Sequence, residues 1–204
     1  MPQMILQTST MALELAKILF GETQPTMKLE WFTPLRVEEE DDLWSLSGRV
    51  DQNRKLPPGA LDDQLENPIF HMHVVKADSE VKDVGISVGM KLPPEAKAQI
   101  RAQLEGEGIT WSDLQAHQPQ SYAPEIWLNT ALHGGIINSK EAAIQFGELI
   151  FESHFSLQRS KIQNLRTELL DGIWHLTGVA NKQSAELVFR RSNAQVISLD
   201  LRPI

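Results

Sequence analysis

The chain has 204 residues, 41% of them hydrophobic and 23% charged, a globular composition that excludes extensive disorder. Its formal net charge is −8, and 15 of its 27 acidic residues fall within positions 1–92, so a nucleic-acid partner is disfavoured and a basic protein partner is suited. Cysteine is absent, which removes disulfides, thiolate catalysis and cysteine zinc sites, and no apolar run approaches the roughly 20 residues that span a bilayer.

The opening residues show neither a basic flank before an apolar region nor a small-residue cleavage site, so no secretory leader is expected. Residues 8–22 start with hydroxyl side chains suited to N-capping, and Ala12, Leu15, Ala16 and Leu19 recur at helical spacing. An amphipathic helix is predicted there, with Gly21 as its stop. Residues 27–37 read as extended, with Pro34 implying an edge or a bulge. The run Glu38, Glu39, Glu40, Asp41, Asp42 reads as a solvated turn. Alternation from Leu43 to Val50 then puts Trp44, Leu46 and Gly48 on one face and Leu43, Ser45 and Ser47 on the other. A long charged loop over 51–68 leads to strands at 69–76 and 81–88, separated by a turn at 77–80.

Residues 93–105 suggest a short helix with proline at its start, and 110–113 a further capped turn. Two tryptophans, Trp111 and Trp127, imply that the connection over 91–132 is packed rather than free. A second helix is expected from about residue 138, with Asn138 and Glu141 as a capping box. Strands follow at 160–169, 173–180, 185–191 and 195–202, with Asp171-Gly172 a strong two-residue hairpin signal and Ser192-Asn193 at the last turn.

A ten-residue stretch occurs twice. Asp41, Trp44, Leu46 and Gly48 return as Asp171, Trp174, Leu176 and Gly178. The helices match too: Ala12 with Ala143, Leu15 with Phe146, Ala16 with Gly147, Phe20 with Phe151. The fold class predicted is α+β, a tandem duplication of a helix followed by a four-stranded antiparallel sheet, forming an internal pseudo-dimer. The units are 1–90 and 133–204, joined by 91–132. In each, the tryptophan strand should face the helix, opposite the small residue at 16 or 147.

Two sets of residues are candidates for chemistry. His71 and His73 form an H-x-H on a strand, with both rings on one face, a geometry found in metal sites. Asp62, Asp63, Glu66 or His175 would have to complete such a site, and an exposed histidine pair without metal is the more common arrangement. Glu38, Glu39, Glu40, Asp41 and Asp42, with Asp62, Asp63 and Glu66, can form an acidic contact surface or simply two solvated loops. No phosphate-binding glycine loop, nucleophile elbow or H-E-x-x-H is present. The inward positions are all apolar, and the single tyrosine, Tyr122, lies in the connection. No catalytic residue, metal or other cofactor is therefore expected.

The second unit resembles the NTF2-fold immunity protein family of bacteria. The likeness rests on Gly135-Ile136-Ile137, Glu141-Ala142-Ala143-Ile144, Trp174-His175-Leu176-Thr177-Gly178 and the final hairpin over Leu187–Leu201. The first unit looks like a diverged copy, with Ala12-Leu13, Phe20-Gly21-Glu22 and Trp44–Gly48. The family has paired glycines before its third strand where this chain has Ser184-Ala185, and a terminal histidine that this chain lacks. The resemblance implies an NTF2/cystatin-like arrangement and a non-catalytic, cytoplasmic, monomeric protein that neutralises a cognate toxin by binding it. The alternative is a small-molecule enzyme or ligand carrier using a cavity inside the cone of helix and sheet. A third reading is a structural or periplasmic binding module.

Overall fold

The structure is a computed structural model, and it describes residues 4–24, 27–50, 65–90 and 134–204, with the side chains of 65–67 and 87–90 left aside. The expectations for Asp62, Asp63 and the connection over 91–132 lie outside the described residues.

Helix α1 spans Ser9–Thr23, capped by Thr8, whose hydroxyl accepts from the Met11 amide. Its buried stripe is Ala12, Leu15, Ala16, Leu19 and Phe20. The helix passes through Gly21, which is exposed, and ends two residues later; the capping bond from the Gln24 amide to the Phe20 carbonyl sets the end instead. A short 3-10 turn, Leu29–Trp31, replaces part of the extended segment expected over 27–37. Strands β1 (Arg36–Glu40), β2 (Leu43–Arg49), β3 (Leu65–Val75) and β4 (Val81–Met90) form an antiparallel sheet in that order. Pro34 precedes the edge strand β1, after a cis Thr33–Pro34 bond. β3 begins at Leu65, four residues before the apolar alternation starts, so Glu66 belongs to a strand rather than to the loop.

The second unit repeats this plan. Helix α2 spans Lys140–Phe155, and the strands β5 (Ile162–Leu170), β6 (Ile173–Ala180), β7 (Gln183–Arg190) and β8 (Val196–Pro203) are again antiparallel in sequence order. The N-cap of α2 is Ser139, which accepts from the Ala142 amide, and not Asn138. Asn138 is held elsewhere: its side chain donates to the Gly135 carbonyl and accepts from Arg191. The Asp171-Gly172 turn is present, with φ of 48° and 77°, the left-handed pair that a tight hairpin requires.

The repeat holds at the level of single bonds. Trp44 and Trp174 are both buried, and each indole N–H donates to the chain entering its own helix, to Leu6 O at 3.1 Å and to Ile137 O at 2.9 Å. The same two segments tie their amides to the end of the third strand of their sheet: Ile5 and Leu6 to Lys76 O, Ile136 and Ile137 to Arg191 O. Gly48 and Gly178 also match. A Cβ at either would come within 2.7 Å of a leucine methyl, Leu35 or Leu165, and close to a backbone carbonyl. Each sheet's inner face is thus filled by its own helix, with Phe20 meeting Phe32 and Phe70 edge to face in the first unit and Phe146 packing at a tilt on Phe189 in the second.

The units meet helix to helix and hairpin to hairpin. α1 packs on α2. At one end, Glu22 of α1 accepts from the amides of Asn138 and Ser139 and from the Ser139 hydroxyl, at 2.8–2.9 Å. At the other, Ser153 of α2 donates to the Ile5 carbonyl ahead of α1. The helices therefore run antiparallel, each end of one meeting the start of the other. The β3–β4 and β7–β8 turns exchange backbone bonds, Val81 N to Asn193 O and Val196 N to Asp78 O, both 2.8 Å. Ser79 and Ala194, both fully buried and both at positive φ, face each other at the centre of this exchange, the Ser79 hydroxyl bonding Ala194 O.

Candidate functional surface

With the inner faces filled, the described polar groups of the two sheets lie on their outer faces, edges and turns. The acidic run is not one turn. Glu38, Glu39 and Glu40 belong to β1, and only Asp41 and Asp42 make the turn. Pairing with β2 sets their directions: Glu38 lies across from Ser45 and Glu40 from Leu43, on the outer face, while Glu39 lies across from the buried Trp44. Glu39 is consumed structurally. The buried Lys76 ammonium contacts its carboxylate at 2.9 Å, donates to the carbonyls of Glu40 and Asp41, and sits 5.0 Å from the Trp44 ring. Burying a lysine is costly unless its charge is paired and its donors used, and here three acceptors and a ring do both. Glu38, Glu40, Asp41 and Asp42 remain exposed. Glu66 lies on β3 opposite Gly89, at the far end of the sheet from the turn.

The outer face of the first sheet carries rows set by register. One row is Glu38, Ser45, His73, Asp83; the next is Arg36, Ser47, His71, Gly85. The H-x-H histidines do share this face, as expected. The carboxylate that meets them is Asp83 of β4, which the sequence reading did not include. His71 Nε2 lies 3.0 Å and His73 Nδ1 3.7 Å from the same Asp83 oxygen. Burial opposes ionisation of Asp83, but its contacts with His71 and His73 outweigh burial and hold the carboxyl at about 2. Both rings turn toward one oxygen, and among the described residues no three such side chains are arranged to hold a metal ion. His175, once a conceivable third ligand, stands on the outer face of the other sheet, opposite Glu168 and Val188.

The β1–β2 hairpin is polarised along its length. Acidic groups crowd its turn, while Arg36 and Arg49 lie at its open end, where they line a pocket of about 370 Å³ with Thr33, Pro34, Ser47, Gly48 and Ile69. Nothing in the sequence marked these arginines, because they are thirteen residues apart and carry no motif.

Among the described residues no helix is long and apolar enough to cross a membrane. No protein-family model, curated protein or solved structure matches the chain.

Proposed function

We propose that the protein is a binding protein of the bacterial immunity type, which neutralises a toxin domain in the cytoplasm by direct contact. The observation that carries this reading is the exposed acidic end of the first hairpin, Glu38, Glu40, Asp41 and Asp42, on a chain of net charge −8. The second unit has no such run; its corresponding turn reads Leu169-Leu170-Asp171-Gly172. Charge of this kind accelerates encounter with a basic partner and selects against acidic ones. The filled inner faces add support, since they leave the binding of a macromolecule at the surface as the better use of this scaffold than capture of a small molecule inside it. The resemblance of Gly135–Ile137, Ala142–Ile144 and Trp174–Gly178 to immunity proteins names the partner class.

The experiment is co-expression of the full chain with toxin domains encoded beside its gene. Protection and co-purification are expected, with binding that weakens as salt rises. Lysine substitution at Glu38, Glu40 and Asp41 together should slow association by about tenfold or more at low salt. Failure both to protect and to co-purify would remove the toxin reading. Protection with an association rate indifferent to these substitutions would remove the hairpin as the contact.

A further inference from the structure

The pocket at the open end of the β1–β2 hairpin has a chemistry of its own. Arg36 lies directly across from Ser47, and Arg49 follows two residues later on the same outer face of β2, exposed like Arg36. Directly opposed residues hold their Cβ atoms about 5 Å apart, and diagonal neighbours about 7–8 Å, within which two arginine side chains can reach a common point. Among the described residues neither arginine has an ion-pair or hydrogen-bond partner. This is unusual in a chain where acidic residues outnumber basic ones 27 to 19. Two guanidinium groups at one pocket repel each other unless an anion lies between them. The hydroxyls of Thr33 and Ser47 line the same pocket and add neutral donors.

We propose that this pocket binds a phosphate group carried on a larger ligand. Paired guanidinium forks and hydroxyl donors match a dianion with several acceptor oxygens better than they match a single carboxylate. The space, about 370 Å³, exceeds what a bare phosphate fills and reaches the range of small-ligand sites. The internal repeat isolates the feature. The second unit keeps Arg166 opposite Thr177, but Val179 stands where the first unit has Arg49, and Gln163 where it has Thr33. The paired-arginine arrangement thus belongs to the first unit alone. It does not depend on the toxin reading, because it lies at the opposite end of the hairpin from the acidic turn.

The test is a titration of the isotopically labelled full chain, followed by NMR at constant ionic strength, with inorganic phosphate, adenosine monophosphate, phosphoserine and acetate. Saturable shifts centred on the Gly48 amide and its neighbours are expected with phosphate and more tightly with one of the organic phosphates. Tighter binding of the nucleotide assigns a nucleotide-type ligand, and tighter binding of phosphoserine a phosphorylated protein segment. Arg36→Ala and Arg49→Ala should each weaken binding about tenfold or more, whereas Arg166→Ala should leave it unchanged. All three side chains are exposed, so the substitutions leave the core intact. Absence of a saturable shift, persistence of it in Arg49→Ala, or acetate binding as tightly as phosphate would overturn the assignment.

Discussion

Replacing Gly147 by alanine sets two known effects against each other. Within a helix, glycine to alanine gains about 0.5–1 kcal/mol through the unfolded chain. At this position, however, a Cβ would come within 2.1 Å of Leu176 Cδ2 and 3.7 Å of Leu187 Cδ2. Carbon atoms rest at about 3.5–4.0 Å, so the first contact is short by well over an ångström. Leu176 is fully buried on the tryptophan strand and cannot swing away into solvent. Relief requires the helix to lift from the sheet or the leucine to leave its rotamer, and overpacking of this kind costs about 1–3 kcal/mol. The expected net effect is a loss of about 1–2 kcal/mol, or a fall of roughly 2–8 °C in Tm for a chain of this size. Urea unfolding followed by tryptophan fluorescence measures it, since Trp44 and Trp174 are buried in the two cores. The matching Ala16→Gly change in α1 should also destabilise, by about 1–2 kcal/mol, but through lost helix propensity and a lost buried methyl. A Gly147→Ala protein as stable as wild type, or more so, would refute the close helix–sheet approach.

Other outcomes follow from single contacts. Glu22→Ala removes the acceptor for two amides and a hydroxyl at the start of α2 and should cost about 2–3 kcal/mol in urea unfolding, with Glu22→Gln recovering part of the loss; a cost under about 0.5 kcal/mol would contradict the geometry. Trp174→Phe strands the Ile137 carbonyl and leaves a void, for an expected loss of about 2–4 kcal/mol, to be read by calorimetry. Asp83 has a depressed native pKa, so its stabilisation is fully present above the ordinary 3.8 and is lost as pH falls toward about 2. The difference is worth about 2 kcal/mol, so Asp83→Asn should be less stable than wild type by that amount at pH 5, with the gap closing by pH 2. A gap that stays constant across those pH values would show that the histidines do not hold the carboxylate.

The duplication was legible because its markers are core residues. Trp44, Leu46 and Gly48 recur at the same spacing as Trp174, Leu176 and Gly178, and alternation alone assigned them to the helix-facing side, where they are buried except for the partly covered Gly178. Features set by tertiary contact were not legible. Alternation over 81–88 puts Val81 and Asp83 on one face, but a register shift between His73 and Val74 sends Val81 into the core and leaves Asp83 beside the histidines. The same irregularity between Val188 and Phe189 brings Ser198 opposite Val188. The acidic run hid its own structure in a similar way. Its composition suggested a turn, yet three of its residues complete an edge strand, because the buried Lys76 supplies a charge partner that no local pattern contains. Asn138 fitted a capping box by spacing, but Arg191, over fifty residues away in sequence, claims its side chain.

The exchange between the helices governs how the molecule comes apart in solution. Glu22 finishes the start of α2, and Ser153 steadies the segment leading into α1, so each unit supplies a part that its neighbour lacks. Loss of the first unit would orphan two amide donors at the start of α2, and loss of the second would orphan the Ile5 carbonyl, so melting should register as one transition rather than two. The interlocked ends and the Ser79–Ala194 meeting point tie the two units into one scaffold. The outward-facing positions carry none of these ties, and there the copies differ, Ser45 in one standing where the other has His175.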